Sequence, residues 1–591
     1  MRPLALLLLC GLAAFGQAPL VLPWSGTPAK PLVLKAEDGG PGKVELRVEA
    51  EPAGLRLRLR SDQRTFLTRD RGYQNGDGLI VVLALPERGA PARRFRVLGF
   101  SGAASWQGAF TWYRDVALDM SPLPGARMSW TVDRALSWEI RVPWADLAPY
   151  HPLLTPEIGL NACFMRAEGK GARAFSLLAD PHLQWEQHPR AYVGARFAQP
   201  PAVPGAWSAL PAQGRLEAGA PLVLQTGAAL PVQARLRMPD LAVDLPLSIP
   251  AGRGPRKVAL PQPLPEGTHR LEIQGPERTL AWSVTVLPAG GPGPLAQALE
   301  ALGPRLDPGT RATLAFRLAE AQKTDERLAP WEPAPAVLTA LATTREDLKA
   351  LAAGRDPVAS RPGLQRRAYR SALDGTLQPY SLRVPEHLQP GARYPLLVFL
   401  HGSGQDDQRV LERRRAPQGW FELAPAGRGT SNAFSADHAQ DDLREALADV
   451  LARYPVDPAR IVLAGFSMGG YGVYRTALAR PGVFQGLAVF SGSPDLGPRW
   501  LGPGHPDFRD PALQARFRGM PIFIFHGTED RNCPFEATRD LAKGLERAGA
   551  LVTFVTEAGK GHENPAPDTL EGFFAWLHRL PHEPGAHPRR M

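Results

Sequence analysis

Apolar and polar residues alternate with period two through Val44-Glu-Leu-Arg-Val48 and Leu55-Arg-Leu-Arg-Leu-Arg60, which predicts half-buried β-strands. Asn75-Gly76 and Asp77-Gly78 are turn dipeptides ahead of an expected strand at Leu79-Ile-Val-Val-Leu83. The stretch from Trp130 to Val142, closed by Pro143-Trp144, alternates in the same way. Short strands between regular turn signals predict a β-sandwich over residues 30–198.

A Pro-rich linker, Gln199-Pro-Pro-Ala-Val-Pro-Gly-Ala206, leads into a second β module over 207–288. Its alternating stretches are Val232-Gln-Ala-Arg-Leu-Arg-Met238, Ala242-Val-Asp-Leu-Pro-Leu-Ser-Ile249 and Leu280-Ala-Trp-Ser-Val-Thr-Val286, and an Ig-like spacer is expected. After Gly290-Gly-Pro-Gly-Pro294 the period becomes helical, and 295–355 reads as a short helical connector. Asp307 before Pro308 marks one helix start, and Thr344 with Asp347 resembles a capping box.

Residues 362–580 change character again. Tyr380-Ser-Leu-Arg-Val384, Leu396-Leu-Val-Phe-Leu400, Ile461-Val-Leu-Ala464, Leu487-Ala-Val-Phe490, Ile522-Phe-Ile-Phe525 and Val552-Thr-Phe-Val555 are apolar strand patterns separated by helical ones. In one of the latter, Leu443, Leu447, Val450 and Leu451 fall on a single face. Continuous apolar strands between helices predict a mostly parallel sheet covered on both faces. The fold class is therefore multidomain, with N-terminal β-sandwich modules, a helical connector and a C-terminal α/β domain. In such sheets ligands bind outside the carboxyl ends of the strands, so chemistry is expected there.

Composition changes this picture little. The 591 residues suit about three to five domains, and 62 prolines with 59 glycines favour turn-rich β modules. The formal charge of +10 comes from 68 basic residues spread along the chain, with Arg413-Arg-Arg415 as the densest run. No nucleic-acid partner is expected from it. The first 16 residues read as a signal peptide: Arg2, an apolar run, and Ala14-Phe15-Gly16 as the cleavage site. A lipoprotein alternative at Cys10 is weakened by Leu9, where a small residue is expected. No later stretch reaches a membrane-spanning length, so an exported chain with no membrane span is expected. Cys163 and Cys533 fall in different modules and lack ligand-spaced partners, so neither a disulfide nor a metal site is expected. Both read as buried small hydrophobes.

The candidate chemistry follows the strands. Leu396–Leu400 is followed by His401-Gly-Ser-Gly404, Ile461–Ala464 by Gly465-Phe-Ser-Met-Gly469, Ile522–Phe525 by His526-Gly-Thr-Glu-Asp530, and Val552–Val555 by Gly559-Lys-Gly-His-Glu563. Gly465-Phe-Ser-Met-Gly469 between a strand and a helix is a nucleophile elbow, and the order Ser467, Asp530, His562 is that of an α/β-hydrolase triad. His562 is the expected base for Ser467, and Asp530 the group that orients the imidazole. The backbone N–H groups of Met468 and Ser403 are the expected oxyanion donors. Glu529 competes with Asp530, and His526 and His401 with His562. His401 is expected to be structural and His526 to order the acid loop. Asp437-His438 reads as a capping or substrate-loop element, and Asp441-Asp442 as first-turn acids.

On these motifs the segment is identified as a member of the α/β-hydrolase superfamily. It resembles secreted bacterial esterases of the feruloyl-esterase and polyhydroxybutyrate-depolymerase type, and catalytic domains of the prolyl-oligopeptidase family. The acid followed by Pro534 four residues later matches the family pattern, which favours Asp530. Residues 30–198 resemble family 9 carbohydrate-binding modules through Tyr73-Gln-Asn-Gly-Asp-Gly-Leu-Ile-Val-Val82, Trp138-Glu-Ile-Arg-Val-Pro-Trp-Ala-Asp-Leu147, Ile158-Gly-Leu-Asn-Ala-Cys-Phe164 and Tyr192-Val-Gly-Ala-Arg-Phe197. That resemblance implies sugar stacking on exposed aromatics. Trp106 and Trp112, in or beside a Gly- and Ser-rich stretch, are the candidates; Trp138, in phase with Ile140 and Val142, is expected in the core.

The combined expectation is an exported serine hydrolase acting on carboxylic esters, with a small-molecule or polysaccharide ester as substrate and no cofactor. A serine peptidase and a glycan-binding protein with a relic hydrolase domain are the alternatives. Substrate loops are expected at 434–438 and 495–508, and Trp420 and Trp500 either line a cleft or pack.

Overall fold

The computed structural model describes residues 19–27, 30–67, 76–84, 95–101, 109–113, 121–147, 150–169, 171–177, 193–328, 331–412 and 414–580. The chain forms two compact units, one of Met1–Gly291 with Lys323–Thr339, the other of Pro292–Gln322 with Ala340–Met591. The expected signal segment, Cys10, Tyr73, Trp106, Trp185 and the side chain of Trp112 lie outside the described residues.

In the first unit thirteen described strands are hydrogen-bonded together, eleven of them along one path, with Leu20–Leu22 and Val193–Phe197 paired off it. One arm runs from Arg127–Val132 through Leu136–Pro143, Gly54–Ser61 and Val44–Ala50 to Leu32–Ala36. The other runs from there through Gly171–Ser176, Glu157–Glu168 and Gly78–Ala84 to Phe95–Ser101 and beyond. Alternation is realised as the pattern requires: Val44, Leu46, Val48, Leu57, Leu59 and Trp138 are buried, while the opposite face carries ion pairs such as Arg56–Glu139 at 2.6 Å. The stretch Trp130 to Val142 is a hairpin rather than one strand, because Asp133-Arg134-Ala135 reverses the chain and pairs Trp130 with Trp138. Residues 207–288 form a five-stranded and a three-stranded sheet around Trp207, Leu236, Leu271 and Val284.

Three helices follow, Gly293–Leu302, Pro308–Arg327 and Pro335–Ala352. Asp307 caps the second, its Oδ1 accepting from the N–H groups of Gly309 (2.9 Å) and Thr310 (3.0 Å). The expected start at Thr344 is overturned. Thr344 is fully buried within the third helix and donates to the Ala340 carbonyl at 2.7 Å, the back-bond of a helix-interior threonine. Asp347 is committed elsewhere, to Arg317 at 2.7 Å and to Arg361 at 2.5 Å.

The second unit is built on an eight-stranded sheet: β1 (Gly363–Arg370), β2 (Leu377–Val384), β3 (Tyr394–Leu400), β4 (Phe421–Pro425), β5 (Val456–Phe466), β6 (Gly486–Phe490), β7 (Pro521–Gly527) and β8 (Leu551–Glu557), in the order 1-2-4-3-5-6-7-8. From β4 onward every neighbouring pair is parallel. β1 and β4 escaped the sequence pattern. The first reads Gly-Leu-Gln-Arg-Arg-Ala-Tyr-Arg, whose Arg366 and Arg367 are satisfied by the Asp407 carboxylate and the Val358 carbonyl, and the second is five residues long and holds the buried Glu422 against Arg383 at 2.7 Å. One face of the sheet is covered by α1 (Ala439–Arg453) and α2 (Met468–Ala479), whose Leu443, Leu447, Val450, Met468 and Tyr471 join Leu396, Val398 and Leu463. On the other face Phe573, Trp576 and Leu577 pack on Phe399, Phe490 and Phe523. Trp420 is buried in that layer and so does not line a cleft, whereas Trp500 is exposed.

Candidate active site

β5 delivers its last residue to a sharp turn. Ser467 takes φ 55° and ψ −115°, and α2 begins at the next residue. A serine held there is strained, and the neighbours over-determine the conformation. The Ser467 N–H donates to the Phe490 carbonyl at the end of β6 (2.8 Å), and its own carbonyl accepts from Gly470 N–H (2.9 Å). The flanking glycines are required by close approach. A Cβ on Gly465 would stand 2.3 Å from the Gly469 carbonyl oxygen, and one on Gly469 would stand 2.1 Å from that of Leu400. Both obstacles are backbone, one in the first turn of α2 and the other at the end of β3, and cannot rotate away. Gly469→Ala is therefore expected to destabilise the second unit by about 3 kcal/mol, read as a lowered midpoint of its transition in calorimetry; an unchanged midpoint would contradict the packing argument.

The acid comes from the loop after β7 and the histidine from the loop after β8. These loops are laced together: Thr528 N–H donates to the Glu557 carbonyl (3.1 Å), and Glu529 N–H to that of Lys560 (2.9 Å). A Cβ on Gly527 would meet the Lys560 and Gly561 carbonyl oxygens at 2.3 and 2.5 Å. The lacing leaves Glu529 exposed and Asp530 buried. His562 bridges the two other groups. Its Nε2 lies 2.8 Å from Ser467 Oγ and its Nδ1 2.7 Å from Asp530 Oδ2. Facing a carboxylate, Nδ1 carries the proton, so Nε2 is free to accept from the serine hydroxyl.

Asp530 is held as an anion. Burial pushes its carboxyl up, but hydrogen bonds from His526 and His562, with the Cys533 N–H, outweigh it and bring it below the usual carboxylate range. Its Oδ1 accepts from the N–H groups of Asn532 and Cys533, both at 2.9 Å. His526 is fully buried and donates from Nε2 to the Cys533 carbonyl at 2.7 Å, with Asp530 Oδ2 3.3 Å away. It thus orders the acid loop. Cys533 is a buried free thiol, but its part is larger than that of a small hydrophobe, since its backbone holds both the acid and His526. The spacing Asp-x-x-Cys, an acid followed three residues later by the N–H it caps, was the available signal. Phe466 was also missed. Its ring lies 5.0 Å from the His562 ring and forms one wall beside it.

His401 is buried, with Nδ1 2.9 Å from the Gly402 carbonyl and Nε2 3.2 Å from that of Ala426, a structural position. After it, Gly404 N–H donates to the Thr430 carbonyl (2.8 Å), and the Ser403 and Ser431 hydroxyls bond at 2.7 Å. Met468, the first residue of α2, has an N–H with no acceptor within the helix. The loop beyond β4 is unusually strained, with Arg428, Ala433, Phe434, Asp437 and His438 all at positive φ. Its base is held by the buried Asp442, which accepts from Tyr369 Oη (2.6 Å) and Gly427 N–H (2.7 Å) and whose carboxyl burial pushes up to about 6. The capping reading of Asp437-His438 is overturned: His438 precedes α1 in a left-handed conformation and makes no side-chain cap.

Residues 404–585 match the Esterase family model. This match supports an ester-cleaving hydrolase, and the C-terminal segment resembles an esterase α/β-hydrolase. Human dipeptidyl peptidase 8 is 27% identical over 227 residues, 32% of this chain and 25% of that protein. The bifunctional acetylxylan esterase/xylanase XynS20E of Neocallimastix patriciarum is 29% identical over 153 residues, 25% of this chain and 20% of that protein. The chain thus spans about a quarter of the length of the first curated relatives it matches. Among solved structures, a ferulic acid esterase is 19% identical with a TM-score of 0.30, covering 37% of this chain and 96% of that one. A fluorophosphonate-binding serine hydrolase of Staphylococcus aureus is 19% identical with a TM-score of 0.32, covering 36% and 98%. Among the described residues of the esterase-like segment and the rest of the chain, no group of three His, Cys, Asp or Glu side chains is placed to hold a metal ion. No described helix is long and apolar enough to cross a membrane.

Proposed function

We propose that this chain is an exported serine hydrolase that cleaves carboxylic esters, with polysaccharide-linked acyl groups as its substrates. The observation that carries the reading is His562 standing between Ser467 and Asp530 at hydrogen-bond distance from both. Ser467 Oγ attacks the ester carbonyl carbon as its proton passes to His562 Nε2. Asp530, kept ionised, stabilises the imidazolium and fixes its tautomer. The N–H groups of Met468 and Ser403 receive the tetrahedral oxyanion, each worth about 2.7–4 kcal/mol of barrier. His562 then gives its proton to the departing alcohol oxygen, leaving an acyl-serine. A water, deprotonated by the same Nε2, attacks that acyl group and releases the acid with Ser467 restored.

The esterase match supports ester over amide substrates, and the acetylxylan esterase relative supports a polysaccharide-borne acyl group. The expected export signal and the carbohydrate-module resemblance of residues 30–198, with Trp106 and Trp112 as sugar-stacking aromatics, point the same way. The dipeptidyl peptidase relative keeps a peptidase as the second reading. Acid release from acetylated and feruloylated xylan, measured beside cleavage of peptidyl anilides, separates the two. Ester turnover, with retention on insoluble xylan that the pair Trp106→Ala and Trp112→Ala abolishes, is the expected result. Anilide turnover without ester turnover would sink the proposal.

A further inference from the structure

The loop after β3 is placed against the nucleophile turn by contact. A Cβ on Gly402 would lie 3.4 Å from the Phe466 ring and 3.6 Å from the Phe466 carbonyl oxygen, one residue before Ser467. On the other side of the turn, a Cβ on Gly469 would stand 2.8 Å from the His401 carbonyl oxygen. Ser403 therefore follows directly on residues seated beside Ser467.

Within that loop one backbone donor is left over. Gly402 N–H donates to Gln405 Oε1 (3.4 Å), Gly404 N–H to the Thr430 carbonyl (2.8 Å) and Gln405 N–H to the Gly402 carbonyl (3.2 Å). Ser403 N–H donates to no group among the described residues. The peptide that carries it hinges on Gly402, which has no side chain to limit rotation, so the direction of the N–H has to be held from Ser403 itself. The Ser403 hydroxyl does this through Ser431 Oγ at 2.7 Å.

Ser431 has a fixed seat in the loop beyond β4. On one side of it Thr430 is tied to Gly404. On the other, the buried Asn432 donates to the Gly427 carbonyl (2.7 Å) and accepts from Phe434 N–H (3.1 Å). Gly427 N–H is in turn held by the buried Asp442 at 2.7 Å. Ser431 does not share the positive φ of Arg428, Ala433 and Phe434, and both serines are exposed, so exchanging either side chain neither strains the backbone nor opens the core.

We propose that Ser431 is a positioning residue whose hydroxyl, through that of Ser403, aims the Ser403 N–H at the oxyanion of the reacting ester. The proposal rests on the serine-hydrolase reading above. Neither hydroxyl exchanges a bond with substrate. The oxyanion exists only as the tetrahedral state forms, so a mis-aimed N–H slows the reaction without weakening substrate binding.

The test compares Ser431→Ala, Ser431→Val and Ser431→Thr with wild type on 4-nitrophenyl butyrate. A second reading is the Ki of a propyl trifluoromethyl ketone, whose hemiketal with Ser467 carries the same oxyanion. In the two variants without the hydroxyl kcat should fall about fivefold at unchanged KM, Ki should rise by about the same factor, and Ser431→Thr should restore both. Ser403→Ala should match these losses, and the double alanine variant should be no slower than either single one, because the two hydroxyls act as a unit. An unchanged kcat, a loss carried by KM alone, a loss that Ser431→Thr shares, or losses that multiply in the double variant would each overturn the proposal and leave the hydrolase reading in place. No ester turnover by wild type overturns that reading, and this one with it.

Discussion

Ser467→Ala is expected to lower kcat on a 4-nitrophenyl ester by about a million-fold and to abolish labelling by a fluorophosphonate. The loss is large because, among the described residues, no other hydroxyl lies within hydrogen-bond reach of His562 Nε2. Ser467 Oγ is the atom 2.8 Å from His562 Nε2, and the strained turn aims it there. Stability should hardly change. An alanine meets the same φ of 55° that the serine already bears, and the backbone bonds to Phe490 and Gly470 need no side chain. Thermal unfolding of the variant should therefore overlay that of wild type. Residual activity above about one per cent in a variant so folded would place the nucleophile elsewhere.

Asp530→Asn is expected to cost about 10⁴ in kcat with the fold intact. An asparagine can turn its oxygen toward the Asn532 and Cys533 N–H groups, now served by Oδ1 at 2.9 Å, and so preserve the loop. Its NH2 then faces His562 Nδ1 and His526 Nε2, where the carboxylate had accepted. Two donors opposed across 2.7 Å force His562 to shed its Nδ1 proton and carry it on Nε2. That nitrogen then points a proton at Ser467 and can accept none. Rates measured against pH for wild type and variant on one activated ester check this, since a wrong tautomer lowers the plateau rather than only shifting the midpoint. A loss of less than about tenfold would remove Asp530 from the mechanism.

Legibility from sequence followed how local each constraint is. Period-two runs such as Leu55 to Arg60 and the apolar strands at Leu396 and Ile522 could be read because burial on a sheet face imprints itself residue by residue. β1 was not readable, because Arg366 is satisfied by Asp407 at 2.8 Å, forty-one positions away, and Arg367 is buried against the Val358 carbonyl. Its charges look like a loop until their partners are known. Thr344 misled for the opposite reason: a capping pattern needs a free helix end, and only packing showed the helix running on through it.

Within the site, the residue types and their order were set by chemistry that any such chain must carry near strand ends. Ser467, Asp530 and His562 could be named from Gly465-Phe-Ser-Met-Gly469, His526-Gly-Thr-Glu-Asp530 and Gly559-Lys-Gly-His-Glu563 without coordinates. What tertiary structure decided is which groups surround them. Pro534 had already favoured Asp530 over Glu529; the lacing of the loops after β7 and β8 is what buries the one and exposes the other. Cys533 became a backbone brace for the acid, and Phe466 a wall beside the imidazole. The physical reason is distance along the chain. Spacing constrains groups a few residues apart, but Ser467 and His562 are separated by 95 positions, and only the sheet order brings them within 2.8 Å.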